Sequence, residues 1–255
     1  KESMVIAGEL MRKAAEDSGA TILPIDSEHS ALFQCLQGHR VEDVKKLILT
    51  ASGGPFLSKS DFSQITIEEA LNHPNWSMGE KITIDSATMM NKGLEVMEAR
   101  WLFGLSVDKI DVLVHPQSII HSMVEYIDGS TLAQMGVPDM KVPIAYAMSY
   151  PGRVETGAAP LDLAKIGKLT FLAPDFVKFP CLKTAFEVAR MGKSYPAVLN
   201  AANEEAVDAF LRGKISFVKI HDCVKTTLDA HVSYPIDSLE EVIEADRWAR
   251  EAAHL

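Results

Sequence analysis

Two carboxylates, Asp26 and Glu28, stand two positions apart in Pro24-Ile25-Asp26-Ser27-Glu28. On an extended chain, residues i and i+2 point the same way, so at a strand end both can converge on one point. Converging carboxylates repel each other unless a cation lies between them, and hard divalent ions favour oxygen ligands. Read alone, Asp-x-Glu also suits a solvated strand end. A second group runs from Asp85 through Ser86, Asn91 and Lys92 to Glu95. It is expected at a helix start, where free N–H groups and the helix dipole favour anions. Ser86, Asn91 and Lys92 add hydroxyl, amide and ammonium donors suited to phosphate. Glu95 can serve as a third carboxylate for the first pair. An N-capped helix with an exposed lysine would carry the same residues.

Two further stretches are candidates. Ser52-Gly53-Gly54-Pro55 follows a strand, and its glycines let backbone amides approach an anion, although a plain strand-to-loop turn reads the same. His73 through Gly79 forms a loop in which Trp76 can close over a ligand or anchor the loop to the core. His115, Ser118 and His121 read as core or strand-end residues. Neither a Gly-x-Gly-x-x-Gly turn nor a Walker-type loop occurs, so no dinucleotide-binding unit is recognised.

The elements that must position these groups follow from periodicity. A helix is expected over 1–18, ending at Gly19, then a strand over 21–25 and a helix over 28–37. A strand over 46–51 leads into the glycine turn. Thr66 and Glu69 make a capping box for a short helix. A long helix is expected from 87 to 103, then strands near 110–115, 121–126 and 130–135, the last two joined by an Asp128-Gly129 hairpin turn. Residues 151–175 are rich in Pro and Gly and read as a linker. From 176 to 255 the pattern is helical, with a capping box at Ser238 and Glu241. The expected class is an α+β catalytic domain over 26–150 with a mixed or antiparallel sheet, followed by a small all-α C-terminal domain over 176–255.

Among the 255 residues, 47% are hydrophobic and 24% charged, as in an ordinary globular protein. A net charge of −10 disfavours nucleic acid as a partner but not a small phosphorylated ligand held by a local donor cluster. No apolar run is long enough to span a membrane. Cys35, Cys181 and Cys223 are far apart and read as free thiols. Lys1 is expected to continue a helix begun upstream.

Taken together and in order, Lys1-Glu2-Ser3, Pro24 through Ser30, Ala51 through Phe56, His73 through Gly79, Asp85 through Glu95, His115 through Ser122 and Leu199 through Glu204 resemble the deoxyxylulose-phosphate reductoisomerases. The resemblance covers essentially the whole chain, and the Asp85–Glu95 run is its most specific part. It implies an enzyme of non-mevalonate isoprenoid biosynthesis. That enzyme rearranges 1-deoxy-D-xylulose 5-phosphate with a divalent cation and reduces the product with NADPH to 2-C-methyl-D-erythritol 4-phosphate. It implies that Asp26, Glu28 and Glu95 bind Mg, Mn or Co. Lys1, Ser27, Glu28, Ser52, His73, Ser86, Asn91, Lys92 and Glu95 would contact substrate, with Lys1, Glu28, His73 and Glu95 catalytic. Glu2 and Gly79 would touch NADPH, and Trp76 would belong to a mobile lid. The family also implies a homodimer, in bacterial cytoplasm or plastid stroma. Its Rossmann-type domain precedes the Lys-Glu-Ser segment, so residues 1–25 read as the remnant of that domain. The alternatives are a metal- and phosphosugar-binding fragment without turnover, or a metal-assisted isomerase that needs no nicotinamide.

Overall fold

Gly19 closes the first helix, α1 (Glu2–Ser18). Its left-handed backbone (φ 69°) lets its N–H reach back to the last-turn carbonyls. A computed structural model describes residues 1–253. The strand expected over 21–25 does not form. An apolar run becomes a strand only where a neighbouring edge takes its hydrogen bonds, and the sheet does not include this one. Instead Asp26 occupies the N-cap position of α2 (Ser27–Leu36), so Asp26, Ser27 and Glu28 form a helix entry rather than a strand end.

After β1 (Val44–Ala51), the capping box predicted at Thr66 forms in full and opens α3 (Ile67–Leu71). The single helix expected from 87 to 103 is two helices, α4 (Glu80–Thr88) and α5 (Met90–Phe103). They break at Met89, whose left-handed backbone (φ 60°) is costly for a residue with a side chain. Burial of that side chain, 2% exposed, holds the break in place. The Asp85–Glu95 run therefore straddles a helix junction, with Asp85 and Ser86 on the last turn of α4 and Asn91 and Lys92 on the first turn of α5.

Strands β2 (Ile110–Val114), β3 (Ile120–Tyr126) and β4 (Thr131–Met135) follow as expected, and the Asp128-Gly129 turn joins the last two. The sheet order is β2-β1-β3-β4. β1 pairs parallel with β2 and antiparallel with β3, and β3 pairs antiparallel with β4, so the sheet is mixed. The chain continues through α6 (Lys141–Ser149), which the pattern reading missed, and α7 (Leu163–Ile166). The helical remainder comprises α8 (Pro180–Met191), α9 (Tyr195–Leu211), α10 (Lys219–Ala230) and α11 (Leu239–Ala252). This is the expected α+β class followed by helices.

Two packing facts position the site. α2 lies against β3, β4 and α6, whereas α5 lies against α1, α4 and α8. One apolar cluster runs from Val5 through Leu47, Leu94 and Leu182 to Ala249, joining the sheet to the C-terminal helices. Close helix contacts need small residues: a Cβ on Gly93 of α5 would stand 2.3 Å from the Ala185 Cβ of α8.

Candidate functional site

The N-terminal turn of α2 and the first turns of α5 meet at a cavity of about 220 Å³. Asp26, Glu28 and Glu95 bring one carboxylate oxygen each within 4.8 Å of the others. Burial sets the chemistry here, for Glu95 is fully buried and Lys92 is 3% exposed. Two ammonium groups balance the acids. Lys92 Nζ is 2.8 Å from Glu28 Oε1 and also bonds Glu95 Oε2. Lys1 Nζ is 2.8 Å from Asp26 Oδ2, 3.3 Å from Glu95 Oε1 and 2.5 Å from Asn91 Oδ1. Asn91 in turn donates to Glu95 Oε1 at 2.6 Å.

The acids differ in proton affinity. Burial, reinforced by the charge of Glu28, pushes Glu95 up to about 7. Burial also opposes ionisation of Glu28, but Lys92, Ser27 and Lys1 overcome it and hold that carboxyl at about 2. A cluster of three acids, one of them reluctant to ionise with only ammonium groups present, fits a hard cation bound through oxygen.

The same cavity offers donors. His73 Nδ1 accepts the backbone N–H of Asn75 (3.2 Å) and of Trp76 (3.0 Å), which places the ring proton on Nε2. That nitrogen donates to Ser52 Oγ at 3.0 Å, and Gly54 N donates to the same oxygen at 3.1 Å. With its lone pairs engaged, the Ser52 hydroxyl keeps its proton for a ligand. Burial lowers the His73 pKa, so the ring stays neutral in this role. Gly54 has no room for a side chain, since a Cβ would meet the Ser86 carbonyl at 2.7 Å. This contact seats the glycine turn on the α4 terminus. Asn75 anchors the Trp76 loop through Pro116 O (2.7 Å) and Ser118 Oγ (3.0 Å).

Of the residues singled out from sequence, Asp26, Ser27, Glu28, Ser52, His73, Trp76, Ser86, Asn91, Lys92 and Glu95 line the cavity. Lys1 reaches it through Asp26 and Asn91. Glu2 and Gly79 stand outside its wall: Glu2 pairs with Lys81 at 3.2 Å and Gly79 heads α4. Ser118 and His121, read as core, are buried and also line it. Thr50, Ile82 and Met140 also line the wall, and no sequence signal marked them. His115 matches its reading as structural, with Nδ1 against Thr170 O at 2.8 Å and Nε2 accepting from Ile119 N at 3.1 Å. His29 and Glu98, adjacent to the acids and fully or nearly buried, went unnoticed, although each follows a candidate ligand by three residues.

Comparison with known proteins bears on this geometry. Residues 22–103 match a family model described as the 1-deoxy-D-xylulose 5-phosphate reductoisomerase C-terminal domain. Residues 135–252 match one described as the DXP reductoisomerase C-terminal domain. The 1-deoxy-D-xylulose 5-phosphate reductoisomerase of Geotalea uraniireducens is 58% identical over 253 residues, covering 98% of this chain and 66% of the relative. That of Chlorobium chlorochromatii is 58% identical over 255 residues, covering 99% and 67%. The Zymomonas mobilis enzyme, solved in complex with NADPH, superposes with a TM-score of 0.93 at 50% identity, covering 99% of this chain and 66% of that one. A DOX-P reductoisomerase in complex with NADPH, fosmidomycin and magnesium also scores 0.93 at 50% identity, covering 98% and 67%. The chain thus spans about two thirds of the length of the curated relatives it matches.

Proposed function

The chain belongs to the 1-deoxy-D-xylulose 5-phosphate reductoisomerase family, and from that premise we propose that it forms the enzyme's metal- and substrate-binding portion. The activity is conversion of 1-deoxy-D-xylulose 5-phosphate to 2-C-methyl-D-erythritol 4-phosphate. The observation that carries this reading is the convergence of Asp26, Glu28 and Glu95 within 4.8 Å in one cavity that Ser52, His73, Ser86 and Asn91 also line.

Asp26, Glu28 and Glu95 would hold a divalent cation, Mg, Mn or Co. When bound, that ion supplies Lewis acidity toward the substrate's carbonyl and hydroxyl oxygens. Ser52, Ser86, Asn91 and Lys92 would take the substrate's phosphate, with His73 Nε2–H beside Ser52. Lys92 Nζ now spends its hydrogens on Glu28 and Glu95. A cation on those carboxylates would leave the ammonium free for a phosphate oxygen. Lys1 and Ser27 would orient the polar end of the substrate, and Trp76 would exclude water as a lid over the cavity. NADPH would supply the hydride that completes the reduction, with Glu2 and Gly79 on its side of the site. We also propose a homodimer built on the open edge of the sheet, a division at residues 151–175 and residues 1–25 as the end of a nucleotide-binding unit.

Titration of Mn into the protein by calorimetry, alone and with fosmidomycin, tests the site. Glu95→Gln, which keeps the shape and loses a carboxylate, is expected to weaken Mn binding at least tenfold with an unchanged circular dichroism spectrum. Equal Mn affinity in the variant would remove the basis for the assignment. Mn-dependent ligand binding without NADPH oxidation would support instead a binding role without turnover. Turnover of the substrate with no NADPH oxidised would point instead to a plain isomerase.

A further inference from the structure

Two buried side chains beside the acid cluster have no role so far. His29 is fully buried on α2 and Glu98 is 5% exposed on α5. His29 Nε2 lies 3.0 Å from the backbone carbonyl of Glu95, which can only accept, so this nitrogen carries a proton. The other ring nitrogen, Nδ1, faces Glu98 Oε2 at 3.2 Å and Asp26 Oδ2 at 3.9 Å. Neither His29 Nδ1 nor Glu98 Oε2 has a hydrogen-bond partner among the described residues, so each is the other's nearest recourse. Leaving both unpaired in the interior is costly, and a single hydrogen between them satisfies both. The ring also lies against Phe103 of α5, with centroids 6.3 Å apart.

These contacts bridge two elements whose main packing partners differ, β1 being touched by both. α2, carrying Asp26 and Glu28, rests on β3, β4 and α6, while α5, carrying Glu95, rests on α1, α4 and α8. The other ties across the gap are Lys92 to Glu28 and Lys1 to Asp26. Both use carboxylates that a cation would claim. The His29 bond uses a main-chain carbonyl, and the Glu98 contact uses a carboxylate outside the triad, so both survive metal binding.

We propose that Glu98 is a positioning residue. Through His29 it holds the Asp26–Glu28 arm at the right distance from Glu95, so that three carboxylates meet around one cation. This rests on the metal-site reading above. Neither residue belongs to the Asp26–Glu28–Glu95 triad, although both converge with Asp26 within 4.8 Å; in this inference their effect passes through the α2–α5 separation.

The test is Mn titration of the whole protein, followed by electron paramagnetic resonance, with melting temperature measured in parallel. Glu98→Leu, similar in size but unable to hydrogen-bond, is expected to weaken Mn binding about 10- to 100-fold while the metal-free protein melts within a few degrees of the parent. Glu98→Gln is expected to stay within about threefold, because its amide can donate to Nδ1; this rescue separates positioning from charge. Should Glu98→Leu not fold, His29→Phe carries the same expectation, since it keeps the ring against Phe103 and removes both nitrogens. Parent-like Mn affinity in Glu98→Leu overturns the inference and leaves the metal site standing. Equal loss in Glu98→Gln and Glu98→Leu also overturns it, in favour of a purely electrostatic role. No Mn binding by the parent protein overturns the metal reading and this inference with it.

Discussion

Glu95 is the residue on which the chemistry turns, because its burial makes it the acid most sensitive to what shares the site. Its carboxyl is pushed up to about 7, above the ordinary value of about 4.3. A proton then competes with a cation for the same oxygens near neutral pH. Mn affinity is expected to fall on the order of tenfold per unit as pH drops below 7, with proton release on binding visible by calorimetry in two buffers. A pH-independent affinity between 5 and 7 would contradict the assignment. The stability sign follows from the same shift. A raised carboxyl contributes stability that is complete below the unfolded value and is lost as pH rises through 7. The metal-free protein should therefore lose stability from this group between about pH 4.5 and 7. Glu28, held at about 2, is ionised throughout that window and does not mask the effect.

At the level of elements, the site depends on a helix break and on close helix packing. Sequence periodicity placed a helix through Met89 because Ala87 to Phe103 has continuous helical character. Only the burial of Met89 in its left-handed conformation shows why the run divides. α5, which carries Asn91, Lys92 and Glu95, is held against α8 at Gly93. Gly93→Ala offers a test with opposing contributions. Ala favours a helix interior by about 1 kcal/mol over Gly, whereas overpacking costs about 1–3 kcal/mol. The Ala185 Cβ has no rotamer with which to yield, so the packing cost wins. Urea unfolding is expected to show net destabilisation of this variant, and a more stable protein would mean that the two helices can separate freely.

At the scale of the whole molecule, β4 leaves one edge of the sheet without a partner among the described residues, and Leu132 is 38% exposed there. Ile127, in the hairpin that leads into β4, is 67% exposed. An unpaired edge beside exposed apolar side chains is normally covered, and the proposed homodimer would cover it. Sedimentation velocity is expected to give a two-chain mass, with Leu132→Lys shifting it toward one chain. A monomer at micromolar concentration would remove this part of the proposal. The division at 151–175 has its own measurement. That segment is mostly exposed, so limited proteolysis should cut there. Because one apolar cluster joins the sheet to α8, α9 and α11, the two pieces are expected to co-elute. Pieces that separate as folded units would show independent domains. Among the described residues, no helix is long and apolar enough to cross a membrane.

Local chemistry determined much in advance: the glycine stop after α1, both capping boxes and the hairpin turn were readable because each depends on a few neighbouring residues. The residue pattern offered Glu95 as a third carboxylate for Asp26 and Glu28, and the family's ordered motifs named the three as one set. The reason first given for Asp26 and Glu28, an extended strand end, was wrong, because residues 21–25 have no edge to pair with and Asp26 heads a helix. Tertiary structure alone decided what surrounds the acids: two lysines in the cluster, His121 and Met140 in the wall, and the His29–Glu98 contact between α2 and α5. The last depends on contacts between segments some 70 residues apart, which come together only when the shared core forms.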